Sequence, residues 1–146
     1  MKISTRGRYG VRALLELAMQ ESNWPVALKT LAEKQDISVK YLEQLLIPLK
    51  GADLVKSVRG ARGGYMLARP ASQIVMHDIL RALEGPLAVV ECVDNPNDCG
   101  RVSQCVVHEL WEEMSRLVRD YLNGITLEEL AHRQQGREFK KAVNSQ

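Results

Sequence analysis

Cysteine is missing from this chain everywhere except between positions 92 and 105, where all three cysteines fall. An odd number packed into one short window argues against a disulfide framework of the secreted kind. No run approaches the ~18 consecutive apolar residues that a membrane span needs. The opening stretch, MKISTRGRYGVRALLELAMQ, is charged and amphipathic and lacks the small-residue cleavage pattern of a secretory leader. A cytoplasmic protein with no membrane partner is expected. Catalytic signatures are absent as well: no nucleophile triad, no paired acid and base and no substrate-pocket motif stands out, so the chain does not read as an enzyme.

What is present suits one small domain with an appendage: 146 residues, 45% of them hydrophobic. The net charge of +2 hides an uneven split. Residues 1–70 carry 12 Lys and Arg against 6 Asp and Glu, whereas residues 71–146 carry 8 against 12. A first half at +6 and a second half at −4 place any polyanionic partner on the first half.

Ser4 or Thr5 can cap a first helix reaching about Glu21, with Val11, Leu14, Leu15, Leu17, Ala18 and Met19 as its apolar stripe. Arg6, Arg8 and Arg12 crowd its beginning, the unfavourable end for cations in the helix dipole. DNA phosphates would account for them. Trp24-Pro25 then breaks the chain. A short helix built on Leu28, Leu31 and Ala32 ends near Lys34, Gln35-Asp36-Ile37 turns, and Ser38 caps another helix. This is a helix-turn-helix. Leu42, Leu45, Leu46 and Leu49 share the inward face of its second helix. Lys40, Gln44 and Ile47 point the other way, with Glu43 at the edge: the layout of a recognition helix. Asp36 must tolerate a tight turn, and Pro48 deprives the Gln44 carbonyl of its helical donor, which invites a kink.

Leu54, Val55 and Val58 on one side, and Tyr65, Met66 and Leu67 on the other, read as a hairpin closed by Arg59-Gly60-Ala61-Arg62-Gly63-Gly64. Glycines let the backbone approach a groove closely, and the arginines can find phosphates or a narrow minor groove. No Gly-Lys-Ser/Thr ends the loop and no helix follows, which excludes a phosphate-binding loop or a dinucleotide fingerprint. Residues 74–84 then read as a closing helix, stopped by Gly85-Pro86.

Cys92, Cys99 and Cys105 follow, with His108 three residues past the last. The spacer of Asp, Asn, Pro and Gly bends the chain around something, and a helix starting near 103 puts Cys105 and His108 on one face. Three thiolates and an imidazole suit either zinc or an iron–sulfur cluster; idle buried thiols are the blander alternative. Along this helix, to about Asn123, Val107, Leu110, Met114, Leu117 and Tyr121 form a short heptad seam that a twin helix would bury. Leu110, Met114, Leu117 and Tyr121 are the expected dimer contacts. Thr126 caps a last short helix with Glu129 in the capping-box position. The polar residues 134–146 read as a flexible tail.

GRYGVRALLELA, ISVKYLEQLL, LVKSVRGARGGYMLA, the Cys/Cys/Cys/His window and HELW…LNGITLEEL together resemble the IscR-type family of iron–sulfur winged-helix regulators. The resemblance covers essentially residues 1–133. It implies a mostly α fold with a small hairpin: a winged helix-turn-helix domain at 1–86, a cluster loop at 87–108, and a dimerisation helix and short C-terminal helix at 103–133. It implies a homodimer on a double-stranded DNA operator, with a 2Fe–2S cluster on Cys92, Cys99, Cys105 and His108 controlling genes of cluster biogenesis. Cluster-donor proteins would then be further partners. Base and groove contacts would fall on Lys40, Glu43, Gln44 and Arg59, within a wider DNA-facing set of Arg6, Arg8, Ser38, Tyr41, Gly60, Arg62 and Gly63. Nitric-oxide- and redox-sensing relatives can use a carboxylate near the start of the first helix as a ligand; positions 6, 8 and 12 are arginine here. Relatives that sense cysteine metabolism lack the cysteine triplet. The competing readings are a zinc-stabilised or thiol-redox DNA-binding regulator on the same four residues, and a small electron-transfer protein, which would leave the Arg-tipped hairpin unexplained.

Overall fold

In the computed structural model, which describes residues 2–145, Ser4 caps α1 (Thr5–Ala18), its Oγ accepting from the Gly7 N–H at 3.2 Å. The helix buries Gly7, Gly10, Ala13, Leu14 and Leu17, one stripe at helical spacing. Two glycines on that stripe let α4 (Met76–Glu84) lie close: a β-carbon at Gly7 would strike the Glu84 carboxylate, and one at Gly10 would strike Leu83. Glu84 Oε1 accepts in turn from Ser4 N at 3.0 Å and Ser4 Oγ at 2.5 Å, fastening the two helix ends together.

The helix-turn-helix is α2 (Leu28–Gln35) and α3 (Val39–Gly51). Asp36 adopts the left-handed conformation the turn requires, at φ 53° and ψ 48°. The Ile37 N–H returns to the Ala32 carbonyl at 3.1 Å and closes the turn. Ser38 caps α3, accepting from Tyr41 N at 3.1 Å. Leu42, Leu45, Leu46 and Leu49 are all at most 1% exposed. Pro48 does not end the helix, which runs on to Gly51; it leaves the Gln44 carbonyl without its helical donor one turn before the end.

The hairpin is β1 (Val55–Val58) antiparallel to β2 (Gly64–Leu67), with Val55 opposite Leu67 and Val58 opposite Gly64. Val26 adds a third edge by exchanging hydrogen bonds of 2.8 and 2.9 Å with Tyr65. That close approach needs Gly64, because a side chain there would meet the Val26 carbonyl.

After Gly85 (φ 82°) the chain leaves the domain through a one-turn α5 (Glu91–Asp94) and two short 3-10 turns. It enters α6 (Val106–Asn123) and then α7 (Leu127–Asn144). The expected start of α6 near 103 shifts to 106: residues 102–104 form a 3-10 turn, and Cys105 itself caps the helix. Thr126 caps α7 as expected, accepting from Glu129 N at 3.1 Å.

Two sequence expectations need correction. The last helix is not short, and residues 134–144 are not an irregular tail. They continue α7, supported by good helix formers and an i,i+4 contact from Gln134 Nε2 to Glu138 Oε1 at 3.3 Å. The first turns of α7 also complete the winged domain. The Met76 N–H donates to the Ile125 carbonyl at 2.9 Å and the Leu127 N–H to the Ile74 carbonyl at 2.8 Å. Leu127 is fully buried in the core with Leu14, Ile74 and Ile79. No helix among the described residues is long and apolar enough to cross a membrane.

Candidate functional site

The outward face of α3 exposes Lys40, Glu43, Gln44 and Ile47. Arg6 stands beside it, lining a shallow depression with Tyr41, Gln44, Leu45, Ile47 and Pro48. Arg59, Gly60 and Arg62 lie exposed at the wing tip, which turns through a Gly63 N–H to Gly60 carbonyl bond of 3.0 Å. Among the described residues Arg6, Arg8, Arg12, Lys40, Arg59 and Arg62 form no salt bridge. Cations without an internal partner are available to phosphates.

Two of the expected DNA contacts also have local work. Ser38 Oγ is committed to the α3 cap. Tyr41 is half-buried and meets Tyr9 edge-on, with centroids 6.2 Å apart, while Arg12 lies 5.3 Å over the Tyr9 ring. This aromatic strut between α1 and α3 escaped the sequence reading. Thirty-two positions separate the two tyrosines, and only the tertiary fold brings them together. Arg8 Nη2 reaches Thr5 Oγ1 at 3.3 Å.

The second site sits at the start of α6. Cys105 caps the helix, its Sγ accepting from the His108 N–H at 3.3 Å. The His108 ring is buried, 5% exposed at its side chain. Its Nδ1 lies 3.3 Å from Cys92 Sγ, and its Nε2 lies 3.2 Å from Glu112 Oε1. One of the three thiols, that of Cys92, therefore meets the imidazole, while that of Cys105 meets the backbone of the same residue. Cys99 is half-buried, directly follows the 96–98 turn, and makes no hydrogen bond to the others among the described residues. Among the described residues no three His, Cys, Asp or Glu side chains converge closely enough to hold a metal ion. The donor chemistry of Cys92, Cys99, Cys105 and His108 suits a 2Fe–2S cluster or zinc, and the Cys92–His108 pair is the part of that set whose side chains are in contact. Glu112 was not anticipated, although its i,i+4 spacing from His108 is visible in the sequence. A carboxylate on the second nitrogen of a ligating histidine is a common support in metal sites.

The third site is the outer stripe of α6. Leu110 is 48%, Met114 41%, Leu117 70% and Tyr121 68% exposed. The flank adjoining this stripe, with Trp111, Val118 and Leu122, is half-buried. Ser115 there accepts from the Val89 N–H at 3.0 Å and ties α6 to the linker after α4.

The family model of Rrf2, an iron-dependent transcriptional regulator, matches residues 3–133. The chain belongs to the Rrf2 family. It is 44% identical to the HTH-type transcriptional regulator CymR of Bacillus subtilis over 90% of both chains. It is 40% identical to the HTH-type transcriptional regulator IscR of Vibrio campbellii, covering 89% of this chain and 77% of that one. The solved structure of CymR, the global cysteine regulator of B. subtilis, matches with a TM-score of 0.74 at 42% identity, covering 90% of this chain and 97% of that one. That of T. potens IscR matches with a TM-score of 0.73 at 40% identity, covering 92% and 88%. This Rrf2 protein is thus a winged-helix DNA-binding transcription regulator and not an enzyme. The winged helix expected from the sequence is present.

Proposed function

We propose that this Rrf2 protein is a homodimeric transcription regulator whose operator binding is controlled by a 2Fe–2S cluster, with genes of iron–sulfur cluster biogenesis as its targets. The observation that carries this reading is the buried His108 ring, with Cys92 Sγ 3.3 Å from its Nδ1 and Cys105 Sγ on the backbone N–H of the same residue. Cys92, Cys99, Cys105 and His108 would hold the group, the turn-rich 93–104 loop moving to bring the thiols to the Cys92–His108 pair. When bound, the cluster supplies a link between loop and helix that depends on iron supply and redox state. The chain's own residues do the rest. Glu112 orients the imidazole, Ser115 holds the linker after α4, and the exposed seam of α6 pairs with its twin. Any change in the loop is thereby passed to the spacing of two winged domains.

The similarity to CymR at 44% identity is as high as that to IscR and does not by itself favour the cluster. The cysteine–histidine grouping does. The test is anaerobic purification with a visible spectrum, iron, sulfide and zinc analysis, and operator binding before and after removal of the metal. Two irons and two sulfides per chain, with altered DNA affinity after removal, are expected. A colourless protein carrying one zinc would establish the zinc-stabilised alternative, and a metal-free protein with unchanged DNA affinity would refute control by a cluster.

A further inference from the structure

Ile47 is 70% exposed, while every leucine of α3 is at most 1% exposed. It is not a stray residue at the edge of the helix. With about 100° per residue, Lys40, Glu43, Gln44 and Ile47 occupy one arc, and Ile47 stands near its middle, with Glu43 to one side and Lys40 and Gln44 to the other. A large aliphatic group thus sits at the crest of the most polar face of the helix. The seam of α6 groups Val107, Leu110, Met114, Leu117 and Tyr121 on one stripe; Ile47 lies on a different helix and is not part of it. Arg6 lines the same depression as Ile47, and Lys40 lies on the same face of α3 about two turns earlier; neither is in a salt bridge among the described residues, and both match the charge of a phosphate backbone rather than that of an apolar protein surface.

We propose that Ile47 reads the 5-methyl group of a thymine in the major groove, as a specificity-determining residue of this regulator. The inference rests on the reading of α3 as the major-groove helix and deepens it. Thymine is the only base that presents a methyl group there, and an aliphatic side chain has no hydrogen bond to offer any other edge. Ile47 is also suited to the task by its stiffness. A β-branched residue in a helix holds essentially one χ1 rotamer, so little side-chain entropy is lost on contact. Pro48 and the Tyr41 ring add apolar walls to the same depression. Ile47 lies three residues, or roughly 4.5 Å of helix rise, beyond Gln44. The thymine is therefore one or two base steps from the base that Gln44 meets.

The test uses the full-length protein and a high-affinity duplex selected from random DNA. Each thymine in turn is replaced by deoxyuridine, which removes only the methyl group, and affinities are measured for the unaltered chain, Ile47→Ala and Ile47→Val. At one thymine per half-site the unaltered chain should lose about fourfold in affinity, the value of one buried methyl-sized group. Ile47→Val should keep most of that loss, and Ile47→Ala should be indifferent at that position alone. Ile47 is exposed, so neither variant threatens the fold. An Ile47→Ala protein as sensitive as the unaltered chain at every thymine would overturn the proposal, as would an unaltered chain indifferent to all of them. A change in oligomeric state on Ile47→Ala, without any change in the thymine response, would make Ile47 a protein contact instead. If the unaltered chain shows no preference for selected over random duplexes, the reading of α3 itself fails, and that outcome is distinct from the others.

Discussion

Arg59 stands exposed at the wing tip with no salt-bridge partner among the described residues, so its guanidinium is free to meet DNA without first breaking an internal contact. Arg59→Ala should weaken operator binding and reduce the salt dependence of the binding constant by about one unit of slope. Titrations at several salt concentrations check this, and an unchanged slope would remove the wing from the interface. Glu43, on the same face as Gln44, is expected to act as a filter, since a carboxylate accepts from cytosine N4–H₂ and repels phosphates. Glu43→Ala should broaden the set of sites selected while costing little at the best one; a uniform loss across sequences would give Glu43 a structural role instead. At the second site Glu112 and Cys92 hold opposite sides of the His108 ring. Glu112→Ala should leave the fold intact, because the residue is half-exposed. It should also speed the loss of visible absorbance from the cluster-loaded protein several-fold. Loss at the unaltered rate would mean that the Glu112 contact does not support the ring.

Among the elements, α6 is the one whose surface is least satisfied by its own chain. Leu110, Met114, Leu117 and Tyr121 lie on one stripe and together need a second apolar surface. Met114→Asp should give monomers in sedimentation and abolish tight binding to a two-fold operator, while a dimer that survives would place the interface elsewhere. The alternating spacing of three and four residues makes that stripe legible in the sequence alone. The helix-turn-helix and wing are legible for a similar reason, since Ser38, Asp36 and the Arg/Gly run each permit few backbone conformations. The start of α6 is harder to place because a 3-10 turn and an α-helix begin alike in sequence, and a cysteine is an unusual cap. The length of α7 is hidden because its second half is mostly polar and includes Gly136, and the few apolar groups there, Phe139, Ala142 and Val143, make too short a stripe to mark a helix against a tail. In the second site the sequence names the candidate ligands but not the position of Cys99, which depends on how the 93–104 loop folds.

At the scale of the molecule, the hydrophobic core is shared between segments far apart in the chain. Leu127 is fully buried with residues of α1 and α4, and the backbone bridge between Val75 and Thr126 secures it. Leu127→Ala should therefore destabilise the DNA-binding domain by about 2–5 kcal/mol, although the position lies outside that domain in sequence. Thermal or denaturant unfolding followed at the winged domain checks this; a change below ~1 kcal/mol would show α7 to be a passive cover. The same bridge has a consequence for the protein as it is made. A ribosome releasing residues 1–86 has delivered the two DNA-reading helices and the wing, but not the leucine that seals the core beneath them. The reader cannot finish folding until the cysteine loop and α6 have also emerged. A nick in the exposed 94–101 segment would leave two fragments still clasped, because the far piece carries the plug of the near one. Sensor and reader are in this sense knit into one body by the order of the chain, and no newly made copy can complete its DNA-reading domain before its sensing segment exists.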